Sequence, residues 1–128
     1  MTASILIADD YEDNRELLRL ILEMSGHRVR EARDGRECVT MAQLEPPDLF
    51  LIDLSMPVLD GWDVLKELRA DERTRRIPCI AITAFADSLR ERAFQSGFDA
   101  YLTKPFRSKE LTSTVERLLA ECQSRESI

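Results

Sequence analysis

Three carboxylates, one hydroxyl and one ammonium in this chain each follow a short apolar run. Asp9 and Asp10 follow Ser4–Ala8, Asp53 follows Leu49–Ile52, Thr83 follows Cys79–Ile82, and Lys104 ends Asp99–Thr103. If the runs are parallel strands of one sheet, all five residues emerge at its carboxyl edge, where open α/β sheets place their ligands. Two like charges ~4 Å apart at an effective dielectric of ~20 repel by roughly 4 kcal/mol. Three such pairs rival the ~5–15 kcal/mol that holds a whole domain together. Lys104 offsets part of this, and a hard divalent cation is the natural remedy for the rest. Mg²⁺ suits such a place because it takes oxygen ligands, few carboxylates and several retained waters. Asp53 is then placed to attack phosphorus and form an aspartyl phosphate. Phosphoryl transfer is mostly positioning and charge neutralisation. Lys104, the Thr83 hydroxyl and the backbone N–H of Ala84 can supply it, with the small Ala84 side chain leaving the approach open.

Each residue also has a plainer reading. Asp9 and Asp10 fit a solvated turn or a helix cap, Asp53 a turn before Ser55-Met56-Pro57, Thr83 an ordinary β-branched strand residue, and Lys104 a surface lysine. The convergence of all of them on one edge favours the chemical reading. A proline directly after Lys104 admits a cis bond that would aim the ammonium inward, although most X–Pro bonds are trans.

The elements that must position these residues alternate strand and helix five times. Leu17, Leu18, Ile21 and Leu22 give the first helix an i, i+4 apolar face, and Gly26 stops it. His27–Ala32 is a more polar strand. Asp34-Gly35 opens a helix with Cys38, Val39 and Ala42 inward, stopped by Glu45-Pro46-Pro47. Asp48–Ile52 reads as a strand buried on both faces. Asp60-Gly61 opens a third helix carrying Val64, Leu65 and Leu68. Asp71–Arg76 is a polar connection, Asp87–Ser96 a fourth helix ending at Gly97, and Ser108 the expected N-cap of the last helix, with Leu111, Val115, Leu118 and Leu119 inward. Such alternation calls for right-handed βαβ crossovers and a parallel sheet covered on both faces. The second strand alone ends without a chemical residue, which places it at an edge and gives the order 2-1-3-4-5.

At 128 residues, 44% hydrophobic and 33% charged, the chain fits one globular domain. A net charge of −6 argues against a nucleic-acid partner. No apolar run approaches the ~18 residues of a membrane span, and the start lacks a signal-peptide pattern. Cys38, Cys79 and Cys122 are widely spaced and odd in number, which suggests reduced thiols and a cytoplasmic location. The basic run Arg73, Arg75, Arg76 reads as a solvated loop, and Trp62 as a packing residue beside the acidic crevice.

The segments ILIADD, LFLIDLSMPVLDGW, IPCIAITAFA and AYLTKPF, in this order and spacing, resemble the receiver domain of two-component response regulators, the family of the chemotaxis regulator CheY. The resemblance covers essentially the whole chain and implies a flavodoxin-like (βα)5 doubly wound fold. It implies that Asp53 accepts the phosphoryl group. Asp10, Asp53 and the Ser55 backbone carbonyl would bind Mg²⁺ directly, with Asp9 acting through water. Thr83 and Tyr101 would be the switch hydroxyl and aromatic, Lys104 the phosphoryl-binding lysine, and Lys104-Pro105 a cis bond. Ser55 and Phe85 stand where autodephosphorylation is tuned and offer no acid or amide, which implies a long-lived phosphoryl group. The implied partners are a sensor histidine kinase or phosphotransfer protein and a downstream protein target, for a monomer or weak homodimer. Its output surface would be the fourth helix, fifth strand and fifth helix, with Arg90, Arg92, Phe106 and Lys109 as exposed candidates.

Residues 1–122 are expected to form this domain and 123–128 a short polar tail, with no output domain following. Such a protein is a switch rather than a dedicated enzyme. A phosphohydrolase of the haloacid dehalogenase type also uses an aspartyl phosphate, but it needs a second Asp where Ser55 stands. An FMN-binding flavodoxin needs a Ser/Thr/Gly-rich phosphate loop, whereas Asp9–Asp13 would repel phosphate.

Overall fold

The computed structural model describes residues 2–84 and 87–126. Five parallel strands form one sheet: β1 (Ser4–Ala8), β2 (Arg28–Ala32), β3 (Leu49–Asp53), β4 (Cys79–Thr83) and β5 (Ala100–Thr103), in the order 2-1-3-4-5. Between and after them run α1 (Glu12–Met24), α2 (Gly35–Leu44), α3 (Gly61–Ala70), α4 (Arg90–Ser96) and α5 (Ser108–Glu126). The doubly wound topology expected from the sequence is the one observed. Among the described residues no helix is long and apolar enough to cross a membrane.

The period-2 geometry of the strands sorts the core into two layers. Leu6, Ala8, Phe50, Ile52, Cys79, Ala81 and Tyr101 pack on one side with residues of α2, α3 and α4. Ile5, Ile7, Leu49, Leu51, Ile80, Ile82, Ala100 and Leu102 pack on the other with residues of α1 and α5. β1, β3 and β4 are apolar along their interiors because both of their faces are covered. β2 lies at the edge and is only partly buried. Burial pushes the Cys38 and Cys79 thiols up to about 12, so both serve as packing groups.

The helix boundaries follow local chemistry. The Asp34 and Asp60 side chains accept from the N–H groups of Glu37 and Asp63, each 2.8–2.9 Å away, capping α2 and α3. Gly26 and Gly97 leave α1 and α4 with φ of 92° and 114°, in the left-handed region. Several expectations shift. Leu17 is exposed, because α1 turns Leu18 and Leu22 to the sheet and a neighbour one residue away points about 100° elsewhere. Asp87–Leu89 forms a 3-10 turn, so the α-helical part starts at Arg90. Ser108 is the first residue of α5 rather than its cap, since the Leu111 N–H already bonds to the Arg107 carbonyl. The helix continues to Glu126, through part of the expected tail.

Arg69, in the last turn of α3, latches the end of the sheet opposite the acidic crevice. Its guanidinium donates to the carbonyls of Arg75, Ile77 and Gly97 at 2.7–2.9 Å and to Asp99 Oδ2 at 3.0 Å. The same Asp99 oxygen accepts the Cys79 N–H at the start of β4, at 2.9 Å. Arg69→Ala should therefore cost about 2–3 kcal/mol, because it strands a partly buried carboxylate and three carbonyls. Urea unfolding checks this; a loss below about 0.5 kcal/mol, the range of an ordinary surface substitution, would contradict it.

Candidate functional site

Parallel pairing puts the ends of β1, β3, β4 and β5 side by side. Ala8 pairs with Ile52, Asp53 with Ile82, and Thr83 with Thr103. The polar residues at these ends therefore meet as expected. One oxygen from each of Asp9, Asp10 and Asp53 lies within 4.8 Å of the others. Asp9 and Asp53 are 1% and 6% exposed, whereas Asp10 is exposed.

Asp53 is the last residue of β3 rather than the first beyond it. Its Oδ1 accepts the Ser55 N–H at 2.9 Å, and its Oδ2 accepts from Lys104 Nζ at 2.9 Å. Burial raises the pKa of this carboxyl above its ordinary value, against the Ser55 and Lys104 hydrogen bonds, and the neighbouring Asp9 charge adds to the rise. Lys104 also donates to Asp9 Oδ2 at 3.3 Å. Its burial works to lower the ammonium pKa, but the bonds and charges of Asp53 and Asp9 outweigh that and hold it above the usual lysine value.

A backbone bond holds Lys104 at the site. Its N–H bonds to the Thr83 carbonyl at 2.8 Å, tying β5 to β4 at the site. The Lys104-Pro105 peptide is cis, as the family resemblance implied. Thr83 is buried at the end of β4, Ala84 is exposed beside it, and Tyr101 on β5 is 5% exposed. Phe85 lies outside the described residues.

The loop from β3 to α3 closes the other side. The Leu59 N–H bonds to the Pro57 carbonyl at 2.8 Å across Val58, whose φ is 70°. This is a γ-turn, rare for a β-branched residue. The Gly61 N–H bonds to the Leu54 carbonyl at 3.1 Å, bringing α3 against the end of β3. Trp62 packs edge-on to Phe98, with the Arg92 guanidinium 4.1 Å from its ring centre. Of the residues expected on the output surface, Arg90, Arg92 and Lys109 are exposed. Phe106 is half-buried against the core layer under α1 and α5.

One residue of this neighbourhood carries no sequence signal. Arg15 reads as one of many charges on the polar face of α1, yet it is buried and its Nη1 donates to the Asp9 carbonyl at 2.8 Å.

Comparison with known proteins agrees with this geometry. The family model described as the response regulator receiver domain matches residues 5–116. The polar-differentiation response regulator DivK of Brucella ovis is 38% identical over 122 residues, covering 94% of this chain and 99% of DivK. The receiver domain of a sensor histidine kinase from Pseudomonas aeruginosa, solved with a magnesium ion coordinated in its active-site cleft, is 36% identical with a TM-score of 0.87, covering 94% of this chain and 99% of that one. NtrX from Brucella abortus is 27% identical with a TM-score of 0.92, and the match takes in 99% of this chain but 29% of NtrX. With its sheet order, its clustered acids and these relatives in agreement, the chain belongs to the response regulator receiver domain family.

Proposed function

We propose that this receiver domain accepts a phosphoryl group on Asp53 from a phosphohistidine of a sensor histidine kinase or phosphotransfer protein. In the transfer the phosphorus–nitrogen bond breaks as an Asp53 oxygen–phosphorus bond forms, and the electron pair of the broken bond stays on the imidazole. The observation that carries this reading is a buried carboxylate whose two oxygens are separately held by the Ser55 N–H and by Lys104, beside two further acids. Such a carboxylate is fixed for in-line attack, and Lys104 is already where charge on a phosphoryl oxygen would develop.

The donor set fits Mg²⁺: three carboxylates cluster with one lysine that bonds to only two of them, all are hard oxygen donors, and one of them faces solvent. Asp10, Asp53 and the Ser55 carbonyl would hold the ion, with Asp9 reaching it through water. When bound, the ion neutralises charge on the phosphoryl oxygens. The Ala84 N–H and the Thr83 hydroxyl would take the remaining oxygens. A Thr83 drawn toward the phosphoryl group would let Tyr101 readjust beneath α4. The Arg90 guanidinium lies 5.8 Å from the Tyr101 ring centre and 5.6 Å from that of the exposed Phe94, which supports a route to the α4–β5–α5 surface. That surface would then bind the downstream target more or less tightly.

Metal binding gives the direct test. At ten times its dissociation constant Mg²⁺ should add about 1.4 kcal/mol of stability by mass action on the native state. Thermal unfolding should show the rise in the wild type, and Asp10→Asn should remove most of it. An equal rise in both proteins would contradict the ligand set.

A further inference from the structure

We infer that Arg15 is a positioning residue for the cation site: it orients Asp10 by holding the peptide plane that joins Asp9 to Asp10. The inference rests on the reading of the acidic cluster as a Mg²⁺ site. Every polar atom of Asp9 is engaged. Its N–H bonds to the Ala32 carbonyl at 3.2 Å, its Oδ1 accepts the Tyr11 N–H at 2.9 Å, and its Oδ2 accepts from Lys104 at 3.3 Å. The remaining atom, its carbonyl oxygen, accepts from Arg15 Nη1 at 2.8 Å. Peptide planarity puts that oxygen in one plane with the Asp10 nitrogen and Cα. Fixing the oxygen therefore sets the direction in which Asp10 leaves β1. Asp10 is the exposed acid of the three, the one with least packing of its own.

Arg15 is itself held on two sides. Its backbone N–H bonds to the Tyr11 carbonyl at 3.1 Å, and its Nε lies 3.3 Å from Glu31 Oε1 on β2. Arg19, one turn further along α1, grips the other Glu31 oxygen at 2.6 Å. The guanidinium thus spans from a buttressed carboxylate on the edge strand to the main chain of the metal loop. A planar fork can serve both at once, and a lysine ammonium at the same place is a point charge without that geometry.

Orientation and charge predict opposite signs, which makes the role testable. A positive group near the acids repels a cation, so a purely electrostatic Arg15 would bind Mg²⁺ better once removed. A positioning Arg15 would bind it worse. The experiment titrates Mg²⁺ alone into wild type, Arg15→Lys and Arg15→Met by calorimetry, with thermal unfolding in EDTA alongside. Both variants should weaken Mg²⁺ binding by about 10-fold, the range seen when groups that orient metal ligands are lost. Arg15→Lys should show this although it keeps the charge.

Unchanged affinity in Arg15→Lys with tighter binding in Arg15→Met would assign the residue a charge effect only and overturn the proposal. So would a lower melting temperature in both variants with wild-type affinity. Should either variant fail to fold, Glu31→Gln leaves Arg15 in place and loosens its support. It should weaken Mg²⁺ binding in the same direction by a smaller factor, and unchanged affinity there overturns the proposal equally. A wild type that binds no Mg²⁺ fails at an earlier point, in the metal-site reading itself.

Discussion

Asp53→Asn should make the metal-free protein more stable, although it removes a residue with two hydrogen-bonded oxygens. The Asp53 carboxyl pKa lies above its ordinary value because burial, with Asp9 beside it, penalises the charged form more than Ser55 and Lys104 favour it. The sign follows from linkage. Below the unfolded-state pKa the group is protonated in both states and costs nothing. As pH rises through that value and then through the higher folded-state value, ionisation weighs against the fold, and at neutral pH the full penalty is present. The gross repulsion is large: two carboxylate oxygens within 4.8 Å of each other repel by roughly 3–4 kcal/mol or more at an effective dielectric of ~20. Lys104, bonded to both, offsets part of it.

Asparagine removes the charge and keeps a carbonyl oxygen for the Ser55 N–H. A net gain of about 1 kcal/mol, a few degrees in Tm, is the expected result at pH 7 in EDTA. The gain should shrink as pH falls through the carboxylate range. A destabilised Asp53→Asn at neutral pH would mean that the Lys104 contact outweighs burial and repulsion together.

Gly61→Ala should do the reverse and damage fold and site at once. A Cβ at Gly61 would lie 2.5 Å from the Asp53 carbonyl oxygen and 2.7 Å from Leu54 Cα. Both are backbone atoms at the end of β3, so neither can swing aside as a flexible side chain would. Either α3 is pushed off the sheet or the end of β3 moves with Asp53 on it. Overpacking of this kind costs about 3 kcal/mol or more, and the displaced carboxylate should lose most of its reactivity toward a phosphoryl donor.

Gly26→Ala is the control. Its Cβ would meet nothing within 4 Å, and the only penalty is the left-handed φ of 92°, worth about 1–2 kcal/mol. Gly26 lies far along the chain from the acids, so phosphoryl acceptance should survive there. Urea unfolding together with acetyl phosphate labelling of both variants checks the contrast. Equal losses of stability and labelling at the two glycines would contradict it.

The sequence is legible where one local rule dominates. Four apolar runs ending in Asp, Asp, Thr and Lys are strand ends whatever surrounds them, and the polar second strand can lie only at an edge of a parallel sheet. Asp34, Asp60, Gly26 and Gly97 mark helix ends through side-chain and φ preferences that act within a few residues. Burial that depends on a distant partner is not legible in this way. Leu17 and Leu18 are equally apolar, and the roll of α1 on the sheet decides between them.

Arg15 looks like Arg19, the other arginine of α1, and Arg69 like an ordinary cation in the last turn of α3. Their importance lies in the Asp9 and Gly97 carbonyls they reach, which no periodicity in α1 or α3 announces. Phe106 reads as a surface aromatic after a proline, but α5 and α1 close around it. The depth of Tyr101 depends likewise on packing, since its strand β5 lies under the α2–α4 layer of the core.

The central claim, that Asp53 is the phosphoryl acceptor of a cation-dependent site, is tested most directly by intact-mass analysis after incubation with acetyl phosphate. The wild type with Mg²⁺ should gain one phosphoryl group, released as acetate leaves, and should gain none in EDTA. Asp53→Asn, folded and more stable, should remain unmodified with Mg²⁺ present. A phosphoryl group retained on Asp53→Asn would place the acceptor elsewhere and contradict the account.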